Sequence, residues 1–134
     1  MKFIYPAVFY PCERGYGYTV EFPDLPGCVT EGDTLENSME MAIDAASGWL
    51  LDDIQDGKPL PKASTVNSVT PEEPDGFVSL VPIDLEEYGR SHGQKAVKKT
   101  LTIPAWLNTA AEHENINFSA VLQKALTNEL HIQP

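Results

Sequence analysis

The sequence holds 134 residues with 9 Lys+Arg against 20 Asp+Glu, a net charge of −11; 42% of residues are hydrophobic and 22% charged. That much apolar material excludes wholesale disorder, and no apolar run approaches the ~20 residues of a bilayer-spanning helix. Two cysteines, Cys12 and Cys28, are too few for a disulfide framework or a four-thiolate zinc site. The first ten residues lack the apolar stretch of a secretory leader, so a cytoplasmic chain with reduced thiols is expected.

The charge is unevenly spread. Residues 1–92 carry 5 basic and 17 acidic side chains, a net of −12, whereas residues 93–134 carry 4 and 3, a net of +1. Lys95, Lys98 and Lys99 supply three of the late positives. Such asymmetry predicts two modules with different partners, residues 1–90 and 95–134. A local basic cluster binds phosphate despite a distant acidic excess, because charges act over a Debye length of ~8 Å at physiological salt.

Residues 2–10, KFIYPAVFY, read as a strand, with Pro6 predicting an edge position or an irregularity. Residues 12–17 hold two glycines and read as a turn. Tyr16, Tyr18, Val20 and Phe22 alternate with polar residues, predicting a half-buried strand antiparallel to the first. PDLPG at 23–27 is a turn, and residues 28–31 are a short third strand. Asp33 or Thr34 caps a helix, with Glu36 as the capping-box acid to Asp33. Its stripe is Leu35, Met39, Ala42, Ile43, Ala46, Trp49, Leu50 and Ile54; Gly57 ends it and Pro59 prevents its resumption. Residues 58–75 read as a surface loop, 76–83 as a fourth strand, and the polar stretch 86–93 as a linker. The first module is therefore β-β-β-α-β, an α+β layer of one sheet and one helix.

Asp24, Glu31 and Asp33 could hold metal ions, but a two-metal site needs acids converging on one pocket, and these fall in turns and strand ends. Cys28 lacks a local base and reads as a buried structural thiol. His92, His113 and His131 lack metal-ligand spacing. No catalytic group, cofactor or metal is expected.

The second module changes rhythm. Val97, Lys99, Leu101 and Ile103 alternate with Lys98, Thr100 and Thr102, predicting one strand. Pro104 suits a first helical position and opens a helix through about His113. Asn117 caps a second helix, with Ile116 and Val121 spaced as a hydrophobic staple and Val121, Leu122, Ala125, Leu126 and Leu130 as its stripe. A lone strand leaves both edges unpaired, and ~35 residues bury too little core to stand alone. A homodimer with paired strands resolves both problems, and a two-stranded ribbon fits the major groove of DNA. Lys98, Thr100 and Thr102 would then face base edges and nearby phosphates, and Asn117, Phe118 and Ser119 would offer helix N-terminal amides to a phosphate.

KKTLTIPAWLNTAAEHENINFSAVLQKAL, residues 98–126, resembles the ribbon-helix-helix DNA-binding family. YGYTVEFPDLPGCVTEGDTLENSMEMA, residues 16–42, and VPIDLEEYG, residues 81–89, resemble HicB antitoxins. Relatives often have Glu then Ala after the Leu of the helix start, where this chain has Leu35, Glu36, Asn37 and Ser38. The resemblance implies a degraded ribonuclease-H-like fold that covers a HicA-like ribonuclease toxin, and a C-terminal ribbon-helix-helix that represses the chain's own operon by binding operator DNA. It also implies a homodimer, with a tetramer left open, no membrane association and no enzymatic activity. Two rivals stand beside this reading: a metal-dependent nuclease in which Asp24 is essential, and a stand-alone repressor with a sensing domain.

Overall fold

The computed structural model describes residues 1–92 and 96–132, and its chain falls into two compact units, Met1–Lys95 and Ala96–Pro134. In the first unit the aromatic and β-branched start forms β1, Lys2–Pro11. It is followed by β2, Tyr18–Glu21, and β3, Val29–Gly32. Helix α1 spans Leu35–Gln55, β4 spans Phe77–Asp84 and helix α2 spans Leu85–His92. The sheet order is β3-β2-β1-β4, antiparallel throughout.

β1 is an interior strand, so Pro6 does not sit on an edge strand. It is nonetheless tolerated locally: β2 pairs only with Val8–Pro11, and at Pro6 the strand has β4 alone beside it, in the pair Pro6–Leu80. A missing amide there leaves no β2 partner short.

Phe3, Tyr5, Ala7 and Phe9 alternate along β1 toward α1, where they meet Ala42, Ala46 and Leu50. Ser38 and Ser47 share that buried helical face, and their hydroxyls donate to the carbonyls of Thr34 and Ile43, both at 2.6 Å. This is how a polar residue enters a core without an unmade hydrogen bond. Gly32 and Gly17 are required where chain segments touch. A Cβ on Gly32 would lie 2.4 Å from the Ser38 amide nitrogen, and one on Gly17, at φ +77°, would lie 2.2 Å from the Gly32 carbonyl oxygen.

Thr34 caps α1, accepting from the Asn37 amide at 3.0 Å. The reciprocal bond comes from Asn37, whose Oδ1 accepts from the Asp33 amide at 3.0 Å. The expected acid Glu36 is one position too early to reach back. At the other end Gly57, at φ +72°, donates to Ile54 and Lys58 donates to Asp53, a Schellman closure.

The loop at 58–75 is tied to the body. Tyr5 Oη donates to the Pro61 carbonyl at 2.5 Å, Tyr10 Oη accepts from the Glu72 amide at 3.0 Å, and a 3₁₀ turn forms at Val66–Ser68. The stretch read as a linker is largely α2, a correction. Asp84 Oδ1 accepts from the Glu87 amide at 3.3 Å, Glu86 and Glu87 occupy the first turn, and Arg90 and His92 the last. That charge order suits the helix dipole, and buried Leu85 with Tyr88 anchors the helix.

The second unit holds α3, Ala105–His113, and α4, Phe118–Glu129. Pro104 is the residue before the helix, not its first member. Both helices end in Schellman closures with left-handed residues, Asn115 at φ 55° and His131 at φ 56°. The predicted strand at 97–103 is absent from this single chain. Its ladder hydrogen bonds need a neighbour, and no described segment of the chain pairs with it.

Candidate functional site

The acids weighed as metal ligands are each engaged elsewhere. Asp24 accepts from the Ser64 amide at 2.8 Å and the Ser64 hydroxyl at 2.6 Å, which ties the PDLPG turn to the 58–75 loop. Arg14 takes Asp33 at 3.0 Å and Glu31 at 3.8 Å, donates to the Gly32 carbonyl, and lies over the Tyr16 ring at 4.6 Å. Among the described residues no three His, Cys, Asp or Glu side chains gather as a metal site.

The PDLPG turn acts as a plug. Leu25 is fully buried in the core, Gly27 takes φ +80°, and Trp49 on α1 donates from its indole to the Pro26 carbonyl at 3.0 Å. Cys28, directly after the turn, is a buried thiol whose pKa burial pushes up to about 11, which makes it a poor nucleophile.

On the same unit, β1, β4, α1 and α2 enclose a groove of about 580 Å³. Phe3, Ile43, Ile83 and Tyr88 line its apolar part; Glu40, Asp44, Asp84 and Glu87 stand around it. The Tyr88 ring stacks on His92 at 4.2 Å, and His92 Nε2 lies 3.6 Å from Asp44 Oδ1. Burial raises the Tyr88 phenol's pKa, and the charges of Asp44 and Asp52 raise it further. Sequence reasoning missed this groove because four separate elements build it. The available signal was Glu40 and Asp44 one helical turn apart on α1.

In the second unit Lys98, Thr100 and Thr102 are all exposed. Asn117 caps α4 as expected, its Oδ1 accepting from the Ala120 amide at 3.1 Å. That bond occupies one helix-start amide. The amides of Phe118 and Ser119 precede the first α-helical bond, from Val121 to the Asn117 carbonyl. Ile116 and Val121 both remain exposed.

No described residue of this unit is buried. Val97 is 86% exposed, Trp106 72% and Leu130 64%, with Leu101, Ile103, Phe118, Val121 and Leu126 exposed too. An apolar surface of this density on so short a segment marks an interaction face.

Against known families, residues 5–126 match the model of the HicB-like antitoxin of bacterial toxin-antitoxin systems. The chain belongs to the HicB-like antitoxin family. A relative at 34% identity over 122 residues is an uncharacterized 14.9 kDa protein of the Haemophilus phage HP1 rep-hol intergenic region, covering 85% of this chain and 89% of that one. Antitoxin HicB 1 of Photorhabdus laumondii is 54% identical over 41 residues, 31% of this chain and 26% of that protein. Among solved structures, a toxin-antitoxin complex from Streptococcus pneumoniae superposes with a TM-score of 0.61 at 28% identity, covering 96% of this chain and 99% of that one. A chain of the HicA3 and HicB3 toxin-antitoxin complex gives 0.52 at 25% identity, over 61% and 99%. The mixed α+β architecture with its antiparallel sheet is thus that of HicB structures. No helix among the described residues is long and apolar enough to cross a membrane.

Proposed function

We propose that this chain neutralises a small basic ribonuclease toxin of the HicA type through its first unit and represses its own operon through its second. The first half of this reading is supported by family membership and by the two toxin-antitoxin complexes among the structural neighbours. The acidic excess of residues 1–92 suits a basic, RNA-binding partner, whose association it would accelerate.

The second half is carried by one observation: residues 96–132 fold into two helices with no buried side chain. Burial of apolar surface is worth about 25 cal/mol per Å², and within one copy this unit gains little of it. A second copy supplies what is missing. Segments 97–103 pair antiparallel, their Val97, Leu101 and Ile103 face joins the helices, and the opposite face carries Lys98, Thr100 and Thr102. The ribbon enters the major groove of operator DNA, and the start of α4 at Asn117, Phe118 and Ser119 takes a phosphate.

Thr102→Glu tests this reading. Each base contact is worth ~1–3 kcal/mol, and a dimer carries the substitution twice, so operator affinity should fall by at least roughly 30-fold. Dimerisation and toxin affinity should stay unchanged. Unchanged operator affinity in an electrophoretic mobility assay rejects the groove-facing assignment.

A further inference from the structure

We propose that the groove between β1, β4, α1 and α2 receives a lysine or arginine side chain of a basic partner protein. The inference rests on the reading of the first unit as a cover for a basic toxin, and it names where and how that toxin is gripped.

The groove is amphipathic in a specific sense. Its floor of Phe3, Ile43 and Ile83 offers hydrocarbon to an alkyl stem, and the flat Tyr88 ring forms one wall. Carboxylates ring it from three elements: Glu40 and Asp44 from α1, Asp84 from the end of β4, and Glu87 from α2. Glu40 and Glu87 have no ion-pair partner among the described residues. Asp44 has only His92, at 3.6 Å, a partner that is charged only when protonated.

An apolar floor beneath carboxylates that, among the described residues, have no Lys or Arg ion-pair partner matches one side-chain type. Lysine and arginine lay a hydrocarbon stem along apolar surface while keeping the charged head at a polar rim. A phosphate or an acidic side chain would meet four like charges. A purely apolar side chain would fill the floor but desolvate carboxylates without pairing them, which costs free energy. Pairing inside a partly closed groove also gains from the lower local dielectric. Lys2 lines the same groove from β1 and is the resident cation that an incoming one must accommodate.

The test uses the full-length chain and a catalytically inactive HicA-type ribonuclease toxin, followed by surface-based kinetics. Glu40→Lys with Glu87→Lys reverses the rim charge. Ser91→Trp fills the groove from an exposed position on α2 and leaves the rim untouched. Glu72→Lys with Glu73→Lys, on the 58–75 loop, makes the same net charge change away from the groove. Paired charges at a contact act on dissociation, whereas remote charges act on association. The rim variant should therefore weaken binding by at least about 50-fold, mainly through a faster off-rate, and the filled groove by at least about 10-fold. The loop variant should slow association by less than about 5-fold and leave the off-rate alone.

Equal effects from rim and loop variants would overturn the proposal. So would groove variants that change sedimentation of the free chain but keep toxin affinity, which would assign the groove to a second copy. Failure of the unaltered chain to bind the HicA-type toxin would instead remove the toxin-cover reading itself, and the proposal with it. Should the double lysine variant not fold, Glu40→Gln with Glu87→Gln and Ser91→Trp carry the comparison.

Discussion

The two units of this chain solve the same problem in opposite ways. Met1–Lys95 buries Phe9, Val20, Leu25, Leu50, Val81 and Ile83 essentially completely within one copy. Ala96–Pro134 forms helices of comparable local quality, capped at both ends of α4, and buries nothing among its described residues. Good local signals are therefore separable from a core. A cap is worth ~1 kcal/mol and fixes where a helix starts, but it does not supply the apolar burial that makes a fold stable. The first unit is expected to have an intrinsic stability, and the second one set by protomer concentration.

The comparison breaks most sharply at Leu126. It lies on the apolar stripe of α4 and is 50% exposed in the single copy. Placing Leu126→Arg against a second copy buries an unpaired charge, which costs several kcal/mol. Sedimentation should report a monomeric second unit, and operator affinity should drop by more than roughly 100-fold. The thermal transition of the first unit should not move. A variant that stays dimeric through residues 96–132 would show that the second unit's apolar face serves another purpose.

Gly32→Ala should be strongly damaging to the first unit. The new methyl would sit 2.4 Å from the Ser38 amide nitrogen and 2.5 Å from its Cα, both backbone of α1, with no flexible side-chain end to yield. Forcing α1 off β3 should cost roughly 3 kcal/mol in urea unfolding. Operator binding by folded protein should be untouched, because the damage stays in the unit that carries the core.

Much of that core is legible in sequence. The β1 composition, the β2 alternation, the Gly57 stop and the α1 stripe apart from exposed Leu35 each follow from residue type, periodicity or backbone freedom, and the helix and strands form where those signals place them. What escapes has physical reasons. Ser38 and Ser47 lie in the core because hydroxyls satisfy themselves on the preceding turn, a choice invisible to hydrophobic periodicity. Helix α2 reads as polar linker because it needs only Leu85 and Tyr88 as anchors; its acidic start and basic end were the usable signal. Tyr88 seats where Gly48 leaves room, since a Cβ there would meet its hydroxyl at 3.0 Å. The 97–103 alternation is plain, yet a strand is a relation between two segments, and one copy holds one of them. The groove depends on four elements meeting, so no single stretch announces it.

Alkaline pH sharpens the contrast next. Burial raises the Cys28 thiol from 9.0 to about 11 in the folded state. The fold therefore favours the neutral thiol: its contribution is complete below pH 9 and is lost as pH rises toward 11. One pKa unit corresponds to about 1.4 kcal/mol, so the first unit should lose roughly 2 kcal/mol across that window through this group. Cys28→Ala should flatten that part of the pH profile relative to the parent chain. An identical slope in both proteins would assign the alkaline loss to other groups. The second unit contains no cysteine and provides the internal control.

The smallest effect concerns the two helix caps. Thr34 Oγ1 accepts from the Asn37 amide at 3.0 Å, and Asn117 Oδ1 accepts from the Ala120 amide at 3.1 Å, so the local chemistry is nearly the same. Thr34→Ala and Asn117→Ala should each cost about 1 kcal/mol. The consequences should differ in kind. Loss of the Thr34 cap lowers the first unit's unfolding midpoint by an amount independent of protein concentration. If the second unit is the proposed dimer, loss of the Asn117 cap destabilises a helix packed against another copy, so its shift should appear as a several-fold weaker dimer and shrink as concentration rises. A concentration-independent shift at Asn117, measured by circular dichroism across a hundredfold range of protein, would mean that the second unit holds itself together without a twin. The cap would then be acting on a monomeric fold, and the ribbon would lose the reason for its existence.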